Sequence, residues 1–205
     1  NYLLWNRWYR THGKSKATHS EKSVSPRMLY HLARFYDEWP GEDYEGSSCR
    51  GALKAWHKHG VCLESTWPYR VNDEVKFIPP KKGWDIEAAQ RPLGVYYRID
   101  RRSVVDMQAA IQETGAIYVS AKVHQGWELP PVQTPPSHES LPIIPFTGKN
   151  TGGHAFALVG YNEHGFIVQN SWGTNWGMGG FAILTYDDWV ENGSDAWVCG
   201  LGVPQ

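Results

Sequence analysis

Cysteine is scarce in this chain: 205 residues hold three, Cys49, Cys62 and Cys199. An odd, widely spaced set excludes a disulfide scaffold and fits no metal-binding spacing. Cys49 and Cys62 flank a predicted helix, and 13 residues at helical rise hold them about 20 Å apart, too far to bridge. A reducing, cytoplasmic compartment is therefore favoured. Long apolar runs are missing too. None reaches the roughly 18 residues of a spanning helix, and no charged start, apolar stretch and small-residue cleavage site opens the chain. No membrane partner is expected, and any targeting signal lies elsewhere. An excess of either charge is also lacking, since 20 Lys and Arg meet 21 Asp and Glu for a net charge of −1. With no block of like charge, nucleic acid is excluded as an expected partner, and a substrate is not selected by gross charge.

What is present divides into two halves. The first reads as helices. NYLLWNRWYR carries Leu4 and Trp8 four apart with Leu3 alongside. Ser25-Pro26 is an N-cap followed by the residue best tolerated at the first helical position, and Met28, Leu29, Leu32, Phe35 and Tyr36 mark one apolar face. A third helix is expected over 48–59, with Ala52, Leu53 and Trp56 inward and Gly60 as its stop. Its last turn, His57-Lys58-His59, invites a metal, but residues two apart on a helix diverge and cations belong at a helix C-terminus. No metal is expected there. Asp85 to Gln90 suggests a short helix and Val95 to Ile99 a strand, and Ser103 caps a helix ending at Gly115. From Ala116 the chain reads mainly as β. Between Gly126 and Gly153 lie six prolines and no periodicity, which predicts a long surface loop. No internal repeat appears.

The chemistry concentrates in HAFALVGYNEHGFIVQNSWGTNWG, residues 154–177. Two apolar strands flank a short polar turn. A hairpin symmetric about Asn162 would put His154 directly opposite Asn170, within reach of an imidazole–amide hydrogen bond, whereas a one-residue slip would send Asn170 to the other face. A histidine held in one tautomer can take a proton from a thiol and return it to a leaving amine. Asn170 could do the holding without adding charge, and Trp172 could lie over the contact and exclude water. Each residue alone is more often structural, a core histidine, a strand end, a core tryptophan; the coincidence of His154 with NSWGTNWG is what points to catalysis.

At these residues the chain resembles the papain-like cysteine peptidases, whose C-terminal lobe carries a His-Ala strand followed by Asn-Ser-Trp-Gly-x-x-Trp-Gly. SVSPRMLYHLARF and EGSSCRGALKAWHKHG are similar to the family's second and third helices, and GMGGFAILTYDDW to its final barrel strands. The resemblance implies an α+β, two-lobed fold: a helical lobe over 1–100 and an antiparallel β-barrel-like lobe over 101–205, with a cleft between. It implies His154 as catalytic histidine, Asn170 as its orienting partner, Trp172 as shield, and Gly46, Ser47, Ser48 and Gly153 as substrate-binding positions. Of the three residues at 46–48, only Gly46 keeps the family's glycine. The expected activity is hydrolysis of peptide bonds in peptide or protein substrates, with no cofactor.

The family's nucleophile is a cysteine at a helix N-terminus, about 130 to 150 residues before the histidine and asparagine. Counting back reaches KATHSEKS, which has no cysteine. Cys49 in GSSC is the tempting substitute, but it lies 105 residues before His154 and opens a helix that matches another element. NYLLWNRW is similar to the downstream half of the family's central helix. The nucleophile is thus expected upstream of residue 1, and a separate N-terminal segment is a candidate partner. The chain alone is expected to be inactive. A non-catalytic peptide-binding relative and a thiol acyltransferase are the alternatives.

Overall fold

The computed structural model describes residues 23–38, 45–71, 74–132 and 140–202. The helix expected at Leu3, Leu4 and Trp8 lies outside them. The chain divides into two compact units, Asn1–Tyr96 with Cys199–Gln205, and Tyr97–Val198.

In the first unit, helix α1 (Pro26–Phe35) packs on helix α2 (Cys49–His59). The sequence places their starts: Ser25 Oγ accepts from the Met28 N–H and Ser48 Oγ from the Gly51 N–H, each satisfying a donor that the first helical turn leaves unpaired. Met28, Leu53 and Trp56 are buried as expected. Phe35 is not: it is 79% exposed, although it stands seven residues, nearly two full turns, after the buried Met28. A small two-stranded sheet, β1 (Arg70–Val71) with β2 (Glu74–Val75), and a short helix α3 (Trp84–Ala89) follow. α2 stops at Gly60, whose φ of 71° turns the chain, and a Cβ there would stand 1.9 Å from the Ala88 carbonyl oxygen. Only glycine allows α2 and α3 to approach so closely.

The remaining strands are β3 (Leu93–Arg98), β4 (Ile117–His124), β5 (Asn150–Tyr161), β6 (Gly165–Gln169), β7 (Phe181–Thr185) and β8 (Gly193–Leu201). They form one six-stranded sheet in the order β3-β8-β4-β5-β6-β7. It is mixed α+β architecture with an open sheet, not the closed barrel that a barrel-like lobe would suggest.

Odd positions of β4 pair with even positions of β5, Ile117 with Leu158, Val119 with Phe156 and Ala121 with His154. Together they supply the core side of the sheet, against which helix α4 (Val104–Thr114) lays Met107 and Ile111. His154 therefore stands at the end of a core-facing row, where apolar packing gives way to the exposed residues 150–153.

Two expectations fail in this unit. YDDW does not continue a strand: Tyr186–Asn192 is helix α5, because the Thr185 Oγ1 caps it by accepting from the Asp188 N–H. Nor is the proline-rich segment simply a surface loop. Trp127 and Ile144 are 1% and 0% exposed, and the Pro142 carbonyl and Ile144 N–H bond Ile183 along the outer edge of β7. Prolines cannot continue a ladder, but the carbonyl of Pro142 can still close one rung of an edge.

Candidate active site

His154 and Asn170 meet. Nε2 of His154 lies 2.8 Å from Oδ1 of Asn170, but not by the symmetric hairpin expected from their spacing. The ladder runs Tyr161 to Phe166 and Gly160 to Ile167, then shifts to Leu158 with Val168 and Ala157 with Gln169. Val159 is the extra residue of a bulge. Continued, this register sets Phe156 opposite Asn170, so His154 reaches Asn170 along the diagonal, still within range of long side chains. Without the bulge the pairing would have the other parity and Asn170 would face away. The bulge, invisible in the spacing, does what the assumed symmetric turn was expected to do.

The hydrogen bonds assign the tautomer. The Ser171 N–H also donates to Asn170 Oδ1, at 2.8 Å. A backbone N–H can only donate, so that atom is the amide oxygen, and the imidazole nitrogen beside it must carry a proton. His154 is held as the Nε2–H form, with Nδ1 available as the base. Burial pushes the ring's pKa below the ordinary histidine value of 6.5, and the Asn170 bond partly offsets this. A neutral ring is what a general base needs.

Aromatic rings enclose this pair. Trp172 lies over the imidazole at 4.7 Å between ring centroids with an interplanar angle of 32°, Phe156 stacks at 5.7 Å, and Trp127 meets it edge-on at 6.1 Å. Trp172 stays 46% exposed, so it covers the ring from the solvent side, while Trp127 is a buried wall. Trp127 and Phe156 went unrecognised in the sequence. Phe156 was two residues along the same strand face and could have been found by alternation. Trp127 sits in a segment without periodicity, and only its being a tryptophan among prolines marked it.

Gly153 pairs with Lys122 on β4 and is exposed, with nothing within 4 Å of where a Cβ would stand. Gly46, Ser47 and Ser48 belong to the other unit. Gly46 has φ 107° and donates its N–H to the Tyr30 hydroxyl at 3.1 Å, while Ser48 caps α2 and donates its own N–H to Asp37 Oδ1 at 3.2 Å.

No thiol joins the pair among the described contacts. Cys49, Cys62 and Cys199 are buried, at 4%, 0% and 6% exposure. Burial pushes the Cys62 thiol up to about 11 and raises that of Cys199 as well. The end of α2 holds no metal-like cluster: His57 Nδ1 points to the carbonyls of Leu93 and Gly94, and His59 Nε2 meets the Tyr36 hydroxyl at 2.7 Å. No group of three metal-binding side chains occurs among the described residues, nor is any described helix long and apolar enough to cross a membrane.

The pattern described as "Papain family cysteine protease" fits residues 14–196, and the chain belongs to that family. It is 29% identical over 201 residues to an uncharacterized peptidase C1-like protein of Acanthamoeba polyphaga mimivirus, covering 88% of this chain and 60% of that protein. Against a gut-specific cysteine proteinase of Caenorhabditis elegans it is 27% identical over 146 residues, 69% of this chain and 40% of the relative. The chain thus spans less than two thirds of these relatives' length. Among solved structures, xylellain, a cysteine protease from Xylella fastidiosa, shares the fold at a TM-score of 0.71 and 22% identity, over 97% of this chain and 75% of xylellain.

Proposed function

We propose that this chain carries the proton-shuttling part of a cysteine peptidase acting on peptide or protein substrates. One observation carries the reading: Asn170 Oδ1 accepts from both Ser171 and His154, which leaves Nδ1 of a half-buried, neutral imidazole as the base. His154 takes the proton of a thiol, the thiolate attacks the peptide carbonyl, and the imidazolium gives its proton to the leaving amine. His154 then draws a proton from water, which hydrolyses the thioester and releases the thiol. Asn170 keeps the ring in register, Trp172 keeps water off their bond, and Gly46, Ser47, Ser48 and Gly153 pair with the substrate backbone. A helical lobe over 1–100 and a β lobe over 101–205 remain the proposed division.

The thiolate, not the thiol, is the nucleophile. Cys62 and Cys199 are buried and raised away from ionisation, and Cys49 is buried as well, so the reading takes the nucleophile from a cysteine outside these 205 residues. The test is turnover of a mixed fluorogenic peptide library by the 205-residue chain and by the product of the full reading frame, each with and without His154→Ala. Alkylation-sensitive turnover that appears only in the full product and vanishes with His154→Ala supports the reading. Robust turnover by the 205-residue chain would make Cys49 the suspect, and turnover indifferent to His154 would refute the assigned role.

A further inference from the structure

A second histidine, His124, forms a buried polar cluster that the proposed chemistry does not use. Its Nε2 lies 2.8 Å from Asp188 Oδ2, both side chains are 1% exposed, and Asn192 Nδ2 donates to the other carboxylate oxygen at 2.8 Å. The Gly126 N–H donates to His124 Nδ1 at 3.2 Å, so the ring carries its proton on Nε2 and donates it to Asp188. The register shifts between Val123 and His124 because β5 carries an extra residue there, Thr151, and Val123 and His124 are both buried at the end of β4. Apolar side chains of similar size would stabilise this spot at least as well. A satisfied polar cluster instead specifies one geometry.

That geometry bears on Trp127. It sits on the 3₁₀ turn Gln125–Trp127 directly after β4, outside the described strand ladders. Its indole N–H is buried with no partner among the described residues, so its own side chain makes no directional bond that fixes it. Three features hold the turn: the His124 bonds, the Trp176 indole N–H on the Trp127 carbonyl at 2.6 Å, and Gly126 against the Pro145 carbonyl, where a Cβ would stand 1.8 Å away. Trp127 then touches His154, Trp172 and Trp176 within 6.1 Å. We propose that His124 and Asp188 are positioning residues: they tie the end of β4 to α5 and thereby pin the Trp127 wall against which His154 is held. The catalytic meaning rests on the role proposed for His154, but the positioning itself is read without activity.

The experiment follows the titration of the His154 ring by nuclear magnetic resonance in the full chain, beside the thermal midpoint. Asp188→Ala removes the tie. With the Trp127 wall loosened, the His154 ring is wetter and its titration moves up toward the ordinary histidine value. The described neighbours of His154 are Asn170, Phe156, Trp127 and Trp172, none charged, and Lys122 on β4 pairs with Gly153 and so faces the other side of the sheet. Asp188→Asn keeps an acceptor for His124 and should leave the titration where it was. If Asp188→Ala yields no folded protein, His124→Asn is read in the same way, because it can still accept from Gly126 but is too short to reach Asp188. A lowered midpoint with an unmoved His154 titration overturns the proposal and leaves the cluster a stability device. An upward shift in Asp188→Asn equal to that in Asp188→Ala overturns it too.

Discussion

Replacing Asn170 by alanine separates holding the imidazole from supplying it. The lost oxygen served two donors, the Ser171 N–H and the His154 Nε2–H, each at 2.8 Å. Ser171 is exposed, so water replaces its bond at little cost. His154 is half-buried under Trp172, and an orphaned donor there belongs near the lower end of the about 1–3 kcal/mol that such a group costs. A bias of about 1 kcal/mol is a roughly fivefold change in the ratio of the two ring tautomers. Lost at the transition state, the same energy slows turnover by about fivefold. His154→Ala removes acid–base help altogether, worth about a hundred- to ten-thousand-fold. The assay has two arms. Ring-nitrogen shifts read the tautomer in the 205-residue chain, and kcat/KM for a fluorogenic peptide reads the product of the full reading frame. Nε2–H should dominate in the native protein and lose about fivefold in Asn170→Ala. A native ring found mainly as the Nδ1–H form, or equal kinetic losses in both variants, would refute the reasoning.

Because burial sets the folded His154 pKa below the unfolded 6.5, the unfolded chain binds more protons between those two values, so this group's contribution to stability is full above pH 6.5 and is lost as pH falls through the folded value. Urea melts from pH 8 to 5 should show a smaller acid loss in His154→Gln than in the parent, and an equal or larger loss would contradict the burial. The three thiols should resist iodoacetamide at pH 8 in the native protein and react once it is denatured, since burial shields all three and holds Cys62 at about 11; prompt native labelling at Cys62 would be incompatible with this packing. Gly60→Ala should destabilise by about 3 kcal/mol or more, combining a left-handed backbone with a Cβ driven into the Ala88 carbonyl. Gly83→Ala has the same strain at φ 83° but open space around it, so it should cost only about 1 kcal/mol, and equal effects in thermal melts would discount the clash.

Which parts of the fold were legible follows from how local their causes are. Ser25, Ser48, Ser103, Gly60 and Gly115 each act on the residues next to them, and the helices they bound begin and end within a residue or two of expectation. The strands around residues 120, 155 and 168 declared themselves by apolar runs. Where a distant partner decides, the reading failed. Phe35 has the spacing of a core residue yet is exposed, and Trp127 and Ile144 sit among prolines yet are buried, because burial there depends on what the chain brings against them. The helix at Tyr186–Asn192 was hidden by a likeness to strands, although Thr185 followed by Asp188 is itself a capping pattern.

The site divides the same way, and the division has a physical reason. His154 and Asn170 were legible because a hairpin keeps sequence neighbours near in space, so a short separation with the right residue types limits the outcomes to same face or opposite face. Spacing alone could not choose between them: an even separation suits a symmetric turn, and the actual hairpin uses an odd register corrected by one bulged residue at Val159. His124 and Asp188 had no such limit. They are 64 residues apart, on a strand and on a helix, and nothing in either local sequence requires the other. What joins them is the sheet order, which sets β4 two places inside β6 and leaves α5 packed against β4 and β7 at once. A pair carried by one hairpin can thus be read from sequence, while groups joined across the fold, such as His124 and Asp188, become visible only when the topology is known.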